Sequence, residues 1–200
     1  HWSDDNELTL TLRAETNEAT VVNLTNHVYF NLKGEGNGNI LDHNLKIYAQ
    51  NYLPATEELI TTGEIATVKE TPMDFTETKL IGRDIKADFP ALVNGKGYDS
   101  CWVLDGYNKG VMKQAATLSS DASGIKVDVF TTQPGLQIYT GNWLSGCPEG
   151  KCGKSYEDYE GVAMECQALP DSPNKANFPS AVLRPGEEYK EVIKFKFSIL

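Results

Sequence analysis

Apolar and polar residues alternate with a period of two along most of this 200-residue chain, which predicts strands rather than helices. Leu8, Leu10 and Leu12 share one face of a first strand, with Asn17-Glu18 in the turn after it. The segment Thr20 to Leu32 alternates for longer. Its even positions Val22, Leu24, Val28, Phe30 and Leu32 are apolar, whereas Asn23, Thr25, His27, Tyr29 and Asn31 line the other side. Leu45 and Ile47 mark another strand, and Gly95 to Leu104 reads as glycines entering an apolar one. Ala115 to Ser119 and Gly124 to Thr131 read as a hairpin around Ser120 to Ser123. In Val162 to Ala168 the apolar face holds Val162, Met164, Cys166 and Ala168, while Glu165 and Gln167 share the opposite one. A last run, Lys190 to Leu200, places Ile193, Phe195, Phe197 and Ile199 together. Leu80 to Asp88 is the one stretch that fits a short helix. About ten strands with little helix predict an all-β fold, a large antiparallel β-sandwich, with residues 1–200 forming one domain.

Composition narrows the partners. Hydrophobic residues make up 40% and aromatic ones 10%, enough for a sizeable core. The formal net charge is −10 and the 18 basic residues are dispersed, which argues against nucleic acid or an anionic membrane as partner. No apolar run reaches the roughly 18 residues of a membrane helix. Cys147 and Cys152 bracket a short loop and suit a disulfide, which favours an extracellular compartment over the cytoplasmic alternative. A zinc site is the competing reading, against which stands the lack of any nearby His. Asn23-Leu-Thr25 has the glycosylation pattern but falls within the strand predicted for Thr20 to Leu32, so it is expected to be unused.

Candidate chemistry lies on the polar faces. A merely solvated face carries Lys and Glu, yet the one holding His27 carries Asn, Thr and Tyr, groups suited to hydroxyl-rich ligands. Asp99 stands at the mouth of a strand, and Gln137 shares a face with Tyr139. Each has a plainer reading: a structural His27, a turn-capping Asp99, a solvent-facing Glu165-x-Gln167 on an edge strand. No Gly-x-Ser-x-Gly elbow is present. Metal binding would need three convergent ligands, which spacing alone leaves open. A His with a carboxylate suits paired acid–base work, since reference pKa values of about 6.5 and 4.3 allow opposite protonation states near neutrality.

Ordered motifs then carry a resemblance. Asn23-Leu-Thr-Asn-His-Val-Tyr-Phe-Asn-Leu32, Leu41-Asp-His43, Asn51-Tyr-Leu-Pro54, Gly97-Tyr-Asp99, Gln133-Pro-Gly-Leu-Gln137, Glu165-Cys-Gln167 and Asn177-Phe-Pro-Ser180 resemble the aldose 1-epimerase (galactose mutarotase) family. The resemblance implies that α and β hexose anomers are interconverted by ring opening and closure, with neither cofactor nor metal. It implies Glu165 as general base at the anomeric hydroxyl and His27 as general acid at the ring oxygen, with Asp99 and Gln137 binding the sugar. It covers only the C-terminal portion of family members. Their N-terminal part supplies a second His and an Asn-Arg pair that grip the sugar, so a missing N-terminal segment or a second chain is an expected partner. Ser100 and Cys166 replace the family's usual His and Thr. A non-catalytic carbohydrate-binding protein, or an inactive fragment of the fold, is the alternative.

Overall fold

The computed structural model describes residues 1–151 and 153–200. Its strands are, in chain order, β1 (Glu7–Ala14), β2 (Thr20–Val21), β3 (Tyr29–Phe30), β4 (Asn44–Ile47) and β5 (Asn51–Tyr52). Then come β6 (Ala66–Thr67), β7 (Lys79–Leu80), the helix α1 (Pro90–Gly95), β8 (Asp99–Val103), β9 (Lys113–Ser120) and β10 (Ile125–Thr131). β11 (Gly135–Tyr139), β12 (Val162–Gln167), β13 (Val182–Leu183) and β14 (Tyr189–Ile199) complete the chain.

These strands form two six-stranded sheets, ordered β1-β14-β10-β9-β4-β7 and β3-β12-β11-β8-β5-β6, with a small β13-β2 ribbon beside them. Every pairing within them is antiparallel. Fully buried Phe195 and Ile193 of β14, Leu118 of β9 and Leu45 and Ile47 of β4 come from the first sheet. Trp102 of β8, Leu136 and Ile138 of β11 and Met164 of β12 come from the second, and all belong to one apolar cluster. This is the sandwich arrangement the alternation predicts. Ile199 departs from it: at the end of β14 it is exposed.

Two sequence expectations are corrected. The helix lies at Pro90–Gly95, not at Leu80 to Asp88, where only a 3-10 turn forms at Ile81–Arg83. Proline at the first helical position has its backbone already set and no N–H to leave unpaired, while Lys96 closes the helix in the left-handed conformation. The second correction concerns Thr20 to Leu32, which is no continuous strand. Only β2 and β3 are extended ladder, and Leu24 and Val28 of the apolar set are exposed. The short polar side chains of the intervening segment bond to backbone groups and displace the ladder, as Asn and Thr readily do. Asn26 accepts from the Val28 N–H at 3.3 Å, Thr25 bonds to Cys166 of β12, and Asn23 bonds to Ala168 just past its end. The sequon Asn23 therefore sits on an exposed loop rather than within a strand. The Cys147–Cys152 pairing rests on Cys152, which lies outside the described residues.

His43, which closes the turn at Leu41-Asp42, is fully buried. Its Nε2 accepts the Leu32 N–H at 2.9 Å while Nδ1 faces Asp42 at 3.2 Å. It fastens the chain just beyond β3.

Candidate active site

Strands β8, β11 and β12 lie side by side, and their register assembles the site. Gln137 stands opposite both Glu165 and Cys101, and Tyr139 opposite Asp99. Alternation therefore puts Asp99, Cys101, Gln137, Tyr139 and Glu165 on one face. Gln137 Nε2 donates to Asp99 Oδ1 at 2.7 Å, the diagonal contact expected between neighbouring strands. β12 is an interior strand, and Glu165 is 8% exposed, so the edge-strand reading of Glu165 does not hold.

The Gly97-Tyr-Asp99 motif has a local cause. Gly97 adopts φ +149°, and a Cβ there would lie 2.5 Å from Asn142 Oδ1. Buried Asn142 uses the space by donating to the carbonyls of Gly95 and Tyr98 at 2.7 and 3.0 Å. Thr140 accepts the Tyr98 N–H at 3.1 Å and donates to Asn142. The Tyr139-Thr-Gly-Asn142 stretch thus pins the entrance of β8, which fixes Asp99.

His27 arrives from outside this face, on the arch between β2 and β3. Its Nε2 lies 3.4 Å from Glu165 Oε1, with side-chain exposures of 51% and 11%. Two tyrosines flank the imidazole, Tyr29 with ring centroids 5.0 Å away and Tyr139 at 6.2 Å. The pair thus has a solvent-facing imidazole and a sunken carboxylate.

Burial sets the carboxylates. It raises the pKa of Glu165, opposed by the favourable charge of His27 and reinforced by Asp99. Burial likewise raises Asp99, against the hydrogen bond from Gln137 and the charge of His27. A carboxylate whose charged form is destabilised this way is a stronger base than one in water. Burial also pushes the Cys166 thiol up to about 12 and raises Cys101, so neither is poised as a thiolate.

All four residues singled out in the sequence, His27, Asp99, Gln137 and Glu165, line one open cavity of about 520 Å³. Sequence reasoning missed Tyr139 and Trp143 as members of its wall. The signal for Tyr139 was available, because it sits two residues beyond Gln137 on the same face. Trp143 lies past the strand end, where alternation is silent, and is 56% exposed with the Lys96 ammonium 3.7 Å from its ring centroid. Among the described residues no group of three or more His, Cys, Asp or Glu converges as a metal site would, and no helix is long and apolar enough to cross a membrane.

Comparison with known proteins now decides the family. The family model described as aldose 1-epimerase matches residues 2–196. The chain belongs to the aldose 1-epimerase family. It is 43% identical to galactose mutarotase from Homo sapiens over 196 residues, covering 98% of this chain and 55% of that protein. It is 39% identical to aldose 1-epimerase from Escherichia coli, covering 98% and 56% respectively. Among solved structures it resembles galactose 1-epimerase from Lactobacillus acidophilus, with TM-score 0.83 and 30% identity over 99% of this chain and 55% of that one. An aldose epimerase homologue from C. elegans superposes with TM-score 0.85 at 27% identity, over 98% of this chain and 57% of the other. The all-β sandwich is therefore the fold of this epimerase family. The chain spans about half the length of the curated relatives it matches.

Proposed function

We propose that this chain carries the acid–base machinery of an aldose 1-epimerase, interconverting the α and β anomers of a hexose such as galactose or glucose. The observation that carries the reading is the 3.4 Å approach of His27 Nε2 to Glu165 Oε1 at the mouth of a cavity walled by Asp99 and Gln137. The anomeric hydroxyl and the ring oxygen of a pyranose are bonded to the same carbon. The base and the acid that act on them must therefore sit close together, as these two do.

Ionised Glu165 takes the proton of the anomeric hydroxyl. The oxygen's electrons form the aldehyde carbonyl, the bond from the anomeric carbon to the ring oxygen breaks, and protonated His27 delivers its proton to that oxygen. Rotation about the adjacent carbon–carbon bond presents the other carbonyl face. Closure then returns a proton from Glu165 to the new anomeric oxygen and one from the ring hydroxyl to His27, restoring both groups. Asp99 and Gln137, locked together at 2.7 Å, offer acceptor and donor atoms to sugar hydroxyls. The raised pKa of Glu165 supports its assignment as base, because a proton moves more readily to a carboxylate deprived of water.

Polarimetry of freshly dissolved α-galactose and α-glucose tests the proposal. Decay of optical rotation faster than the buffer blank, in proportion to protein concentration, is the expected result. Sugar binding without acceleration would overturn it in favour of a carbohydrate-binding protein.

A further inference from the structure

The arch that carries His27 has an unusual attachment. Among the described residues, positions 23–28 make no backbone–backbone hydrogen bond, although Val22 before them bonds to Ala181 at 2.9 Å and Tyr29 after them pairs with β12. Side chains supply the missing ladder. Thr25 Oγ1 donates to the carbonyl of Cys166 at 2.7 Å. The carboxamide of Asn23 imitates a peptide group: its Oδ1 accepts the Ala168 N–H at 2.8 Å and its Nδ2 donates to the Ala168 carbonyl at 3.4 Å. Leu24 is held from the other side by the Tyr189 hydroxyl, which lies 3.3 Å from both its N and its O and accepts from Gln133 Nε2 at 2.8 Å.

The partners, Cys166 on β12 and Ala168 just past its end, alternate with the reacting side. Cys166 directly follows Glu165, and Ala168 directly follows Gln167. Tyr29 pairs with Ala163 and the Thr25 side chain bonds to Cys166, so four chain steps on the arch run beside three on β12. His27 lies between these two attachments, and its Nε2 comes within 3.4 Å of Glu165 Oε1.

We propose that Thr25 and Asn23 are positioning residues for the acid: their side chains register the arch against β12 and so set the separation of His27 from Glu165. The proposal rests on the acid–base reading above. It also gives the Asn23-Leu-Thr25 pattern a physical role, since both its polar side chains serve as ladder surrogates. Thr25→Val keeps the shape and removes the donor; Thr25→Ser keeps the donor.

The first readout is independent of turnover. His27 is one of three histidines, so its ring protons can be followed by NMR, and contacts to the rings of Tyr29 and Tyr139 report its place. Thr25→Val is expected to lose the His27–Tyr139 cross-peaks, and Thr25→Ser to retain them. In polarimetry, Thr25→Val is expected to lower kcat on the order of ten- to a hundredfold with a smaller change in KM, as misplacement of a reacting group does. Thr25→Ser restores kcat. Wild-type cross-peaks and kcat in Thr25→Val, or a Thr25→Ser protein that behaves like Thr25→Val, would overturn the proposal. If Thr25→Val fails to fold, Tyr189→Phe removes the backing hydroxyl with Thr25 intact. It is expected to weaken the same cross-peaks, and unchanged ones would count against the clamp. A wild-type chain without mutarotation would count against the epimerase reading alone, and the cross-peaks would still decide the clamp.

Discussion

Glu165 is held in an environment that opposes its own charge. Its folded pKa is raised by burial, so the folded protein binds that proton more readily than the unfolded chain does. The sign follows: ionised Glu165 costs stability above its folded pKa, and the cost disappears as pH falls through that value towards the ordinary 4.5. Glu165→Gln is therefore expected to raise Tm at pH 7 by a few degrees, given about 2–4 °C per kcal/mol for a chain of this size. The gain should shrink in mildly acidic buffer. A variant less stable than wild type at pH 7, with no dependence on pH, would contradict this electrostatic account, and calorimetry at pH 7 and pH 5 distinguishes the two. Such a trade of stability for activity is common where a charge is kept half-dry for chemistry. That His27, Asp99, Gln137 and Glu165 are polar groups on strand faces or at a strand mouth was legible at this scale, and the fold brings the four to one cavity. Their distances were not. They depend on which strands neighbour one another, and alternation within a strand carries no information about its neighbour.

Among the elements, β3 is one of several two-residue strands, and its short ladder holds the C-terminal end of the His27 arch. His43 compensates by accepting the Leu32 N–H. That bond requires a bare Nε2, so the proton belongs on Nδ1, directed at Asp42 Oδ1. Burial lowers the pKa of His43 below the ordinary 6.5, against the opposing pull of Asp42. The unfolded chain protonates first, so the stability this histidine contributes is complete above pH 6.5 and is lost as pH falls through 6.5 towards the folded value. Denaturant titrations should show stability falling between pH 7.5 and pH 5.5, with a shallower fall in His43→Gln. Equal slopes in the two proteins would refute the assignment. The arch itself was invisible to sequence reading. Thr20 to Leu32 has the period of a strand, but Asn23, Thr25 and Asn26 spend their hydrogen bonds on backbone groups, and the ladder gives way to them. The helix lies further along than expected, where Pro90 supplies the preset backbone of a first helical position.

Across the whole molecule, the two sheets are joined behind the site by aromatic packing. Phe30 of β3 meets Phe195 of β14 with ring centroids 5.2 Å apart, one residue from Tyr29 beside His27. Phe195 is fully buried, so Phe195→Ala is expected to cost about 3–5 kcal/mol through lost transfer energy and the cavity left behind. That corresponds to a drop in Tm of at least about 6 °C. A drop of less than a degree or two would mean the sheets are not coupled through this contact. At this scale the sandwich class was legible because both sheets have an apolar face towards a shared core, and each alternating segment recorded that division. Sheet order was not, since β3 and β12 are neighbours separated by 131 positions in the chain, with Phe30 set against Val162.

The central claim is that His27 and Glu165 act as one acid–base unit on a hexose anomer. A double-mutant cycle tests it most directly, with mutarotation of α-galactose followed for wild type, His27→Ala, Glu165→Gln and the double variant. Residues that act as a unit give non-additive losses. The account predicts that either single change removes most of the acceleration and that the second removes little more. Losses that simply multiply, or a Glu165→Gln protein with wild-type kcat, would contradict it.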